Sequence, residues 1–293
     1  MDRYPKQFLD LDPSLCSWNR AKFVLLPFPY EGGVSYGKGA ANAPDAVIEA
    51  SMYLELYDEV LKCEPCRAGI CTVMPPPVPC ADEDVINEVY GTAKSILENG
   101  KYLILLGGDH SISSGFLKAL SERYSTLGVI QVDAHADLRD TYEGSRYSHA
   151  CVMSRIREYT SSTLQIGIRS MSLEEAERVS REGLCLCTMH EYRRGHFDLE
   201  KALERLPEKV FLTFDVDAFD WSVVSSTGTP EPGGFSWDEA INLLRVIFSR
   251  KEVVGFDVTE LSHSGADTNS PFAVAKLIYK MIGLRGSGSG PNR

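Results

Sequence analysis

Continuous apolar runs alternate with helix-like segments along most of this 293-residue chain. Strands are predicted at 23–27, 102–106, 129–132, 164–168, 184–187, 210–214 and 253–258. Helices are predicted at 44–57, 84–98, 111–124, 149–159, 172–182, 236–249 and 271–281. Because the strand runs are continuous, both of their faces are expected to be covered. The alternation predicts an α/β fold, a three-layer αβα sandwich with a mostly parallel central sheet.

The boundaries of several elements carry local signals. Ser236 with Glu239 three residues later forms a predicted capping box, and Gly283 is predicted to stop the last helix. No linker or change in composition divides the chain, so residues 1–285 are predicted to form one domain. The Gly-Ser repeat that follows predicts a flexible tail over residues 286–293.

The composition excludes some classes of function. Hydrophobic residues make up 43% of the chain, which is enough for a large core, and the formal net charge is -11. This acidic balance argues against a nucleic-acid partner and is compatible with a cationic substrate. No apolar run approaches the roughly 20 residues that cross a bilayer, and no apolar signal core follows Met1. We therefore expect no membrane association and a cytoplasmic location.

Three short acidic and imidazole clusters each follow a predicted strand directly. They are Gly-Gly-Asp-His at 107–110, Asp-Ala-His-Ala-Asp at 133–137 and Asp-Val-Asp at 215–217. Ligand crevices in open α/β sheets lie beyond the carboxyl ends of the strands, so these clusters are expected to meet there. Six side chains are the candidate metal ligands: His110, Asp133, His135, Asp137, Asp215 and Asp217.

Carboxylates together with neutral imidazoles suit Mn(II), Fe(II), Co(II) or Zn(II). Six donors exceed the needs of one catalytic ion and match those of two, which share bridging carboxylates and a solvent molecule. Within 133–137, side chains at alternate positions of an extended backbone point to the same side and can reach one small volume. The clusters therefore predict a hydrolase that uses two metal ions.

Four blocks of sequence resemble the signature of the ureohydrolase family, which contains arginase and agmatinase. The blocks are Gly-Gly-Asp-His-Ser at 107–111, Asp-Ala-His-Ala-Asp at 133–137, Phe-Asp-Val-Asp-Ala-Phe-Asp at 214–220 with Gly-Thr-Pro at 228–230, and Gly-Phe-Asp-Val-Thr-Glu at 255–260. They occur in the order found in the family, and the resemblance extends over about residues 24–283. It implies the three-layer fold and two divalent ions, Mn²⁺ in the first place.

The resemblance also implies the roles of individual residues. One ion would be surrounded by His110, Asp133, Asp137 and Asp215, and the other by Asp133, His135, Asp215 and Asp217. A hydroxide activated by the two ions would attack the guanidinium carbon while Asp137 accepts its hydrogen bond. His149 would transfer a proton to the departing amine, and Glu260 would bind the planar guanidinium through two parallel hydrogen bonds. Thr229 lies on a Pro- and Gly-rich loop and is either a pocket residue or part of a turn.

The stretch after the central block points to the agmatinase-type branch. It reads Asp-Leu-Arg-Asp-x-Tyr-x-Gly-Ser at 137–145 and Tyr-Ser-His at 147–149, with Arg139 where arginases carry asparagine. This resemblance implies a small cationic guanidino substrate, first agmatine, which would give putrescine and urea. Asp140 and Glu143 are candidates for contacts with its cationic tail.

Alternatives to agmatine hydrolysis stay open at this point. Aminopropylagmatine would give spermidine and urea, and other guanidino or formimino compounds can use the same metal ligands. A non-catalytic metal-binding scaffold is the alternative from another class. The resemblance also implies a homo-oligomer, a trimer or hexamer.

Overall fold

A computed structural model describes residues 1–33 and 35–287 of the chain. Eight strands within these ranges form a single sheet. They are β1 (Phe23–Phe28), β2 (Ile70–Thr72), β3 (Tyr102–Gly107), β4 (Gly128–Val132), β5 (Thr163–Ile168), β6 (Cys185–Thr188), β7 (Lys209–Asp215) and β8 (Glu252–Thr259). The order across the sheet is β2-β1-β3-β8-β7-β4-β5-β6, and every pair of neighbours is parallel.

The seven predicted strands are confirmed, with ends that differ from the prediction by no more than two residues. The prediction missed β2, which has only three residues and lies at the edge of the sheet. A run this short is hard to distinguish from a loop, because its pattern depends on pairing with β1.

The helices follow the prediction less closely than the strands. They are α1 (Pro13–Cys16), α2 (Ala43–Ser51), α3 (Asp82–Glu98), α4 (Ser113–Arg123), α5 (Val152–Ile156), α6 (Leu173–Glu182), α7 (Met189–Arg193), α8 (Leu199–Glu204), α9 (Trp237–Arg250) and α10 (Asn269–Ser287). The short helices α1, α7 and α8 were not predicted, because four to six residues are too few to show a helical period. Short 3-10 helices at His110–Ile112, His149–Cys151 and Val216–Ala218 follow or contain the candidate site residues.

Local signals at helix ends gave one correct and one wrong prediction. The capping box of Ser236 and Glu239 is present at the start of α9. Gly283 does not stop the last helix, which continues to Ser287. A Cβ atom at Gly283 would lie 2.3 Å from Leu61 and 2.8 Å from Pro65, so the glycine allows close packing of α10. Gly286 and Ser287 of the predicted tail are helical, and residues 288–293 lie outside the described part of the chain.

Both faces of the sheet are buried under helices, and alternate residues of each strand contribute to different core clusters. In β1, Phe23 and Leu25 pack on the side of α2, α9 and α10, whereas Val24 and Leu26 pack on the side of α3, α4 and α5. Both faces of each parallel strand can therefore be apolar, as the continuous runs indicated. Within the described residues, no helix is both long and apolar enough to span a bilayer.

Candidate metal centre

The candidate site lies at the carboxyl ends of four neighbouring central strands. In sheet order these are β3, β8, β7 and β4. His110 follows β3, Glu260 follows β8, Asp215 ends β7 and Asp133 follows β4. Because neighbouring strands are about 4.8 Å apart, side chains from these four ends can meet above the sheet.

His110 lies at the centre of the first group of donors. It is fully buried, and its Nδ1 lies 3.3 Å from Asp133 Oδ2, 3.2 Å from Asp137 Oδ2 and 3.3 Å from Asp215 Oδ2. The preceding Asp109 accepts a hydrogen bond from the Ser111 backbone N–H and caps the 3-10 helix that begins at His110. The local turn therefore directs the imidazole towards the three carboxylates.

A second group of donors adjoins the first and shares Asp133 with it. His135 Nδ1 lies 2.8 Å from Asp217 Oδ2 and 3.8 Å from Asp133 Oδ1. Ligand atoms of Asp133, His135 and Asp217 lie within 4.8 Å of one another, as do those of His110, Asp133 and Asp137. The structure thus brings all six predicted donors into two contiguous groups.

The backbone of the central block differs from the expected extended conformation. Asp137 adopts a left-handed conformation with φ of 51°, and His135 forms an isolated bridge with Ser170. Aspartate is one of the few side chains that tolerate this region at modest cost. Asp133, His135 and Asp137 still converge, but through a turn at Asp137 and not through strand alternation alone.

Burial and crowding shift the pKa values of Asp133, Asp215 and His135. Burial, followed by the charges of Asp217 and Asp137, raises the pKa of Asp133 to about 7. Burial also raises the pKa of Asp215 well above its ordinary value. Burial opposes the charged form of His135, yet the charge of Asp217 raises the pKa of that imidazole to about 11. In the metal-free protein the His135 imidazolium is therefore a counter-ion to Asp217.

The residues at this site fit a pair of divalent cations. His110 Nδ1 is buried and lacks a hydrogen-bond partner within the described residues, while three carboxylate oxygens lie close to it. Buried like charges are costly unless a counter-charge compensates them. Mixed oxygen and imidazole donors of this kind suit first-row divalent metals.

A cavity of about 260 Å³ opens beside the donors. Its lining consists of Ser35, His135, Ala136, Asp137, Arg139, Tyr142, His149, Ala150, Ser170, Met171, Ser172, Glu175 and Thr229. His149 Nε2 lies 3.1 Å from Ser35 Oγ, and its Nδ1 lies 4.0 Å from Asp109 Oδ2. The structure therefore places His149 in the same cavity as His135 and Asp137, and it places Thr229 on the cavity wall.

Glu260 is adjacent to the donors, in a strained backbone conformation. Its φ is 65°, and its Oε1 accepts a 2.5 Å hydrogen bond from the His110 backbone N–H. Burial, followed by the charge of Asp109, raises the pKa of Glu260 well above its ordinary value. One oxygen of the predicted guanidinium anchor is thus already engaged by the turn that carries His110.

Neither candidate tail-binding residue lines the cavity. Asp140 forms a 2.6 Å ion pair with Arg155, and its side chain is 81% exposed, so it is directed away from the cavity. Glu143 is exposed and is not among the lining residues. Arg139 does line the cavity, where its guanidinium lies over the Tyr142 ring and 3.9 Å from Glu175 Oε2.

Arg169 is a structural component of the site that the sequence did not reveal. Its Nη2 donates to the carbonyls of Asp217 at 2.6 Å and Glu231 at 2.8 Å, and its Nε donates to that of Pro232 at 3.1 Å. It therefore joins the second donor group to the loop that carries Thr229. The isolated arginine at the end of a predicted strand gave no local signal of this role.

Two buried polar residues next to the donors could have been recognised from the strand pattern of the sequence. Gln131 and Thr213 each precede a donor by two positions, Asp133 and Asp215 respectively, within otherwise apolar strands. Residues two apart in a strand point to the same side of the sheet. Gln131 Nε2 donates to Asp133 Oδ2 at 2.6 Å, and Thr213 Oγ1 lies 2.8 Å from His110 Nε2.

Comparisons with known proteins agree with this geometry. The sequence profile of the Arginase family matches residues 21–283. The N(1)-aminopropylagmatine ureohydrolase of Synechocystis sp. is 38% identical over 292 residues, covering 96% of this chain and 94% of the relative. The agmatinase of Pyrococcus horikoshii is 34% identical, covering 96% and 98%.

A solved structure agrees with the fold as well. The agmatine ureohydrolase of Thermoplasma volcanium superposes with a TM-score of 0.86 at 28% identity, covering 97% of this chain and 95% of that protein. Proteins of the Arginase family depend on a dinuclear metal centre and are typically oligomeric. The chain therefore belongs to the Arginase family of metal-dependent hydrolases, which act on guanidino compounds.

Proposed function

We propose that this protein hydrolyses the guanidino group of a linear polyamine precursor and releases urea. The observation that carries the proposal is that one member of each donor group, Asp137 and His135, lines the same cavity as His149. His110, Asp133, Asp137 and Asp215 would hold one cation, and Asp133, His135, Asp215 and Asp217 the other. Mn²⁺ is the proposed metal because four carboxylates and two imidazoles form a predominantly hard donor set.

The two cations, when bound, would supply Lewis acidity and make water nucleophilic near neutral pH. The protein's own residues would orient and complete the reaction. Asp137 lines the cavity and would accept a hydrogen bond from the attacking water, fixing its direction. Glu260 would bind the guanidinium with the oxygen that His110 N–H leaves free.

His149 would donate the proton that the departing amine requires. An imidazole has one ring nitrogen that can donate a proton and one that can accept it, which suits a proton-transfer role. Its ring packs edge-on against Tyr142, with centroids 5.8 Å apart, and Ser35 Oγ lies 3.1 Å from Nε2. These contacts hold the imidazole at the cavity wall.

Two substrates fit this proposal. Agmatine, the first prediction from the sequence, would give putrescine and urea. Aminopropylagmatine would give spermidine and urea, and the more similar of the two relatives above bears the name of that activity. We place aminopropylagmatine first on that ground and agmatine second. Because Asp140 forms an ion pair with Arg155, the acidic residue that would bind the cationic tail of either substrate is not assigned.

Parallel assays on both compounds test the proposal. The Mn²⁺-loaded protein would be given each substrate at equal concentration, with urea and the polyamine product measured together. We expect urea from at least one, with kcat/KM for the true substrate about 10-fold or more above the other, because an unfilled tail subsite costs more than 1.4 kcal/mol. Absence of urea from both, or release of formamide from a formimino compound, would contradict it.

We also propose that residues 1–285 act as one catalytic domain in a homo-oligomer, a trimer or hexamer. A single sheet extends through the described residues, and oligomers are typical of the family. Light scattering of the metal-loaded protein measures the number of subunits. A monomer at micromolar concentration would reject the oligomer.

A further inference from the structure

A row of buried polar side chains crosses the sheet directly behind the donor groups. Gln165 of β5 pairs in register with Gln131 of β4, Gln131 with Thr213 of β7, and Thr213 with Asp257 of β8. Each of the four residues is at most 1% exposed. Residues paired in a parallel sheet point to the same face, so the four side chains form one continuous polar row.

Such a row is unusual for its position in the fold. The surrounding residues of these strands are apolar and belong to the two core clusters. Burying an amide or a carboxylate in a core costs free energy unless its hydrogen bonds are made, and it stabilises the fold no better than a packed aliphatic side chain. The row therefore calls for a role besides filling the core.

One half of the row leads to Asp133. Gln165 Nε2 donates to Gln131 Oε1 at 2.5 Å and to the Ala136 carbonyl at 2.7 Å. Gln131 Nε2 in turn donates to Asp133 Oδ2 at 2.6 Å. Both ends of this chain are groups that only accept hydrogen bonds, a carbonyl and a carboxylate, so the orientation of both amides is determined.

The consequence for Asp133 is a fixed carboxylate plane. Its Oδ1 accepts from the His135 backbone N–H at 2.6 Å, and its Oδ2 accepts from Gln131. Each oxygen thus uses one lone pair for a hydrogen bond within the protein and keeps another for a bound cation. Asp133 belongs to both donor groups, so its orientation affects both.

The other half of the row leads to His110. Thr213 Oγ1 lies 2.8 Å from His110 Nε2, and the Asp257 carboxylate faces Thr213 and Ser113. Asp257 Oδ1 also accepts from the Phe214 backbone N–H at 3.3 Å. If the Thr213 hydroxyl hydrogen is directed to Asp257 or Ser113, its lone pair accepts Nε2–H. That tautomer leaves Nδ1 unprotonated and free to bind a cation.

We propose that Gln131, Gln165, Thr213 and Asp257 are positioning residues that orient the two donor groups for metal binding. The proposal rests on the ligand assignment made above. The glutamine pair acts through Asp133 and so on both cations, whereas Thr213 and Asp257 act through His110 and so on one. Substitutions in the two halves of the row should therefore differ in how many metal-binding events they weaken.

Mn²⁺ titration of the chelator-treated protein tests this difference. Calorimetry would count the binding events and measure their affinities, and electron paramagnetic resonance would report whether the two ions are exchange-coupled. We expect Gln131→Leu to weaken both events by about 10-fold to 100-fold and Thr213→Val to weaken one by a similar factor. Gln165→Leu keeps the Gln131 amide but frees its orientation, and should fall between the wild type and Gln131→Leu.

Thr163→Val is the matched control. Thr163 lies in β5, two positions before Gln165, and its Oγ1 accepts a partly buried hydrogen bond from Arg157 Nη1 at 2.9 Å. The substitution removes the same hydroxyl as Thr213→Val but has no connection to a donor, so both Mn²⁺ affinities should match those of the wild type. Circular dichroism of each variant checks the fold, and Gln165→Leu carries the test if Gln131→Leu does not fold.

The outcomes separate this inference from the proposed function. A coupled Mn²⁺ pair in the wild type and unchanged binding in Gln131→Leu, Gln165→Leu and Thr213→Val would overturn the positioning role alone. Failure of the wild type to bind two Mn²⁺ ions would overturn the ligand assignment and, with it, this inference. Equal losses in Thr213→Val and Thr163→Val would show a merely structural effect and also overturn it.

Discussion

The imidazole Nδ1 of His110 lies 3.2 Å from Oδ2 of Asp137. His110 follows β3 and Asp137 lies beyond β4, and these strands are separated in the sheet by β8 and β7. The contact therefore spans the carboxyl ends of two intervening strands. Neither chain segment can form the centre by itself, so a change at either residue should affect metal binding and turnover together.

Substitution of Asp137 by asparagine should impair both metal binding and turnover. The new side chain keeps the shape and tolerates φ of 51°, but it removes one negative charge from the first donor group. We expect metal affinity to fall about 10-fold to 100-fold and turnover by roughly 100-fold or more. Metal analysis and urea release would measure the two effects. Asp140→Asn is the control, because that exposed carboxylate pairs with Arg155, and its turnover should match the wild type.

His149→Phe should separate catalysis from metal binding. Phenylalanine keeps an aromatic ring beside Tyr142 but cannot transfer a proton. We expect two bound metal ions per subunit and a loss of roughly 10² to 10⁴ in turnover. His196→Phe, at an exposed position, should behave as the wild type. Wild-type turnover in His149→Phe would remove this residue from the catalytic assignment.

Removal of the metal should lower the thermal stability of the fold. Four carboxylates meet within the two donor groups, and their mutual repulsion is unfavourable when no cation neutralises it. A cation that binds only the folded protein adds about 2.7 kcal/mol at 100 times its Kd. Chelation should therefore lower Tm by several degrees, and Mn²⁺ should restore it. Differential scanning fluorimetry measures the change, and an identical Tm with and without Mn²⁺ would contradict the metal centre.

Asp267 should contribute stability that is lost in acid. Its carboxylate accepts from Ser226 Oγ at 2.6 Å and from the Asn269 N–H at 2.8 Å, which ties a loop near the cavity to the start of α10. Burial opposes ionisation, but the hydrogen bonds from Ser226 and Ser270 lower the pKa of Asp267 below its ordinary value of 3.8. Because the pKa of Asp267 is lower in the folded than in the unfolded protein, the ionised carboxylate stabilises the fold above about pH 3.8. This stabilisation is lost progressively as the pH falls from that value through the lowered pKa of the folded state.

Asp267→Asn should therefore reduce the free energy of unfolding by roughly 1–2 kcal/mol at neutral pH. The difference from the wild type should begin to shrink as the pH falls below about 4, because the carboxylate of the unfolded chain becomes protonated there while that of the folded protein stays ionised. Urea unfolding of both proteins between pH 7 and pH 3 measures this difference. Both are metal-free, so that protonation of the metal ligands affects the wild type and the variant equally. A difference that stays constant over this range would argue against the charge of Asp267 as its cause.

The alternation of strands and helices was readable because apolar periodicity is a local property. The exceptions are elements whose stability comes from neighbours, such as the edge strand β2 and the five-residue helix α7. Gly283 shows the same limit, since its meaning depends on Leu61 and Pro65, which are more than 200 positions away in the chain. Sequence rules predict that Gly283 ends the helix, whereas in the structure it allows close contact between α10 and these two residues.

The sequence by itself determined the chemistry of the donors and their position at strand ends, because residue identity and strand pattern are both local. Only the tertiary structure decided which donors share a volume, since strand order places β8 and β7 between β3 and β4. It also turned Asp140 towards Arg155 and aligned Gln131 with Thr213 across neighbouring strands. Register and strand order arise from long-range pairing, and no single segment of this chain encodes them.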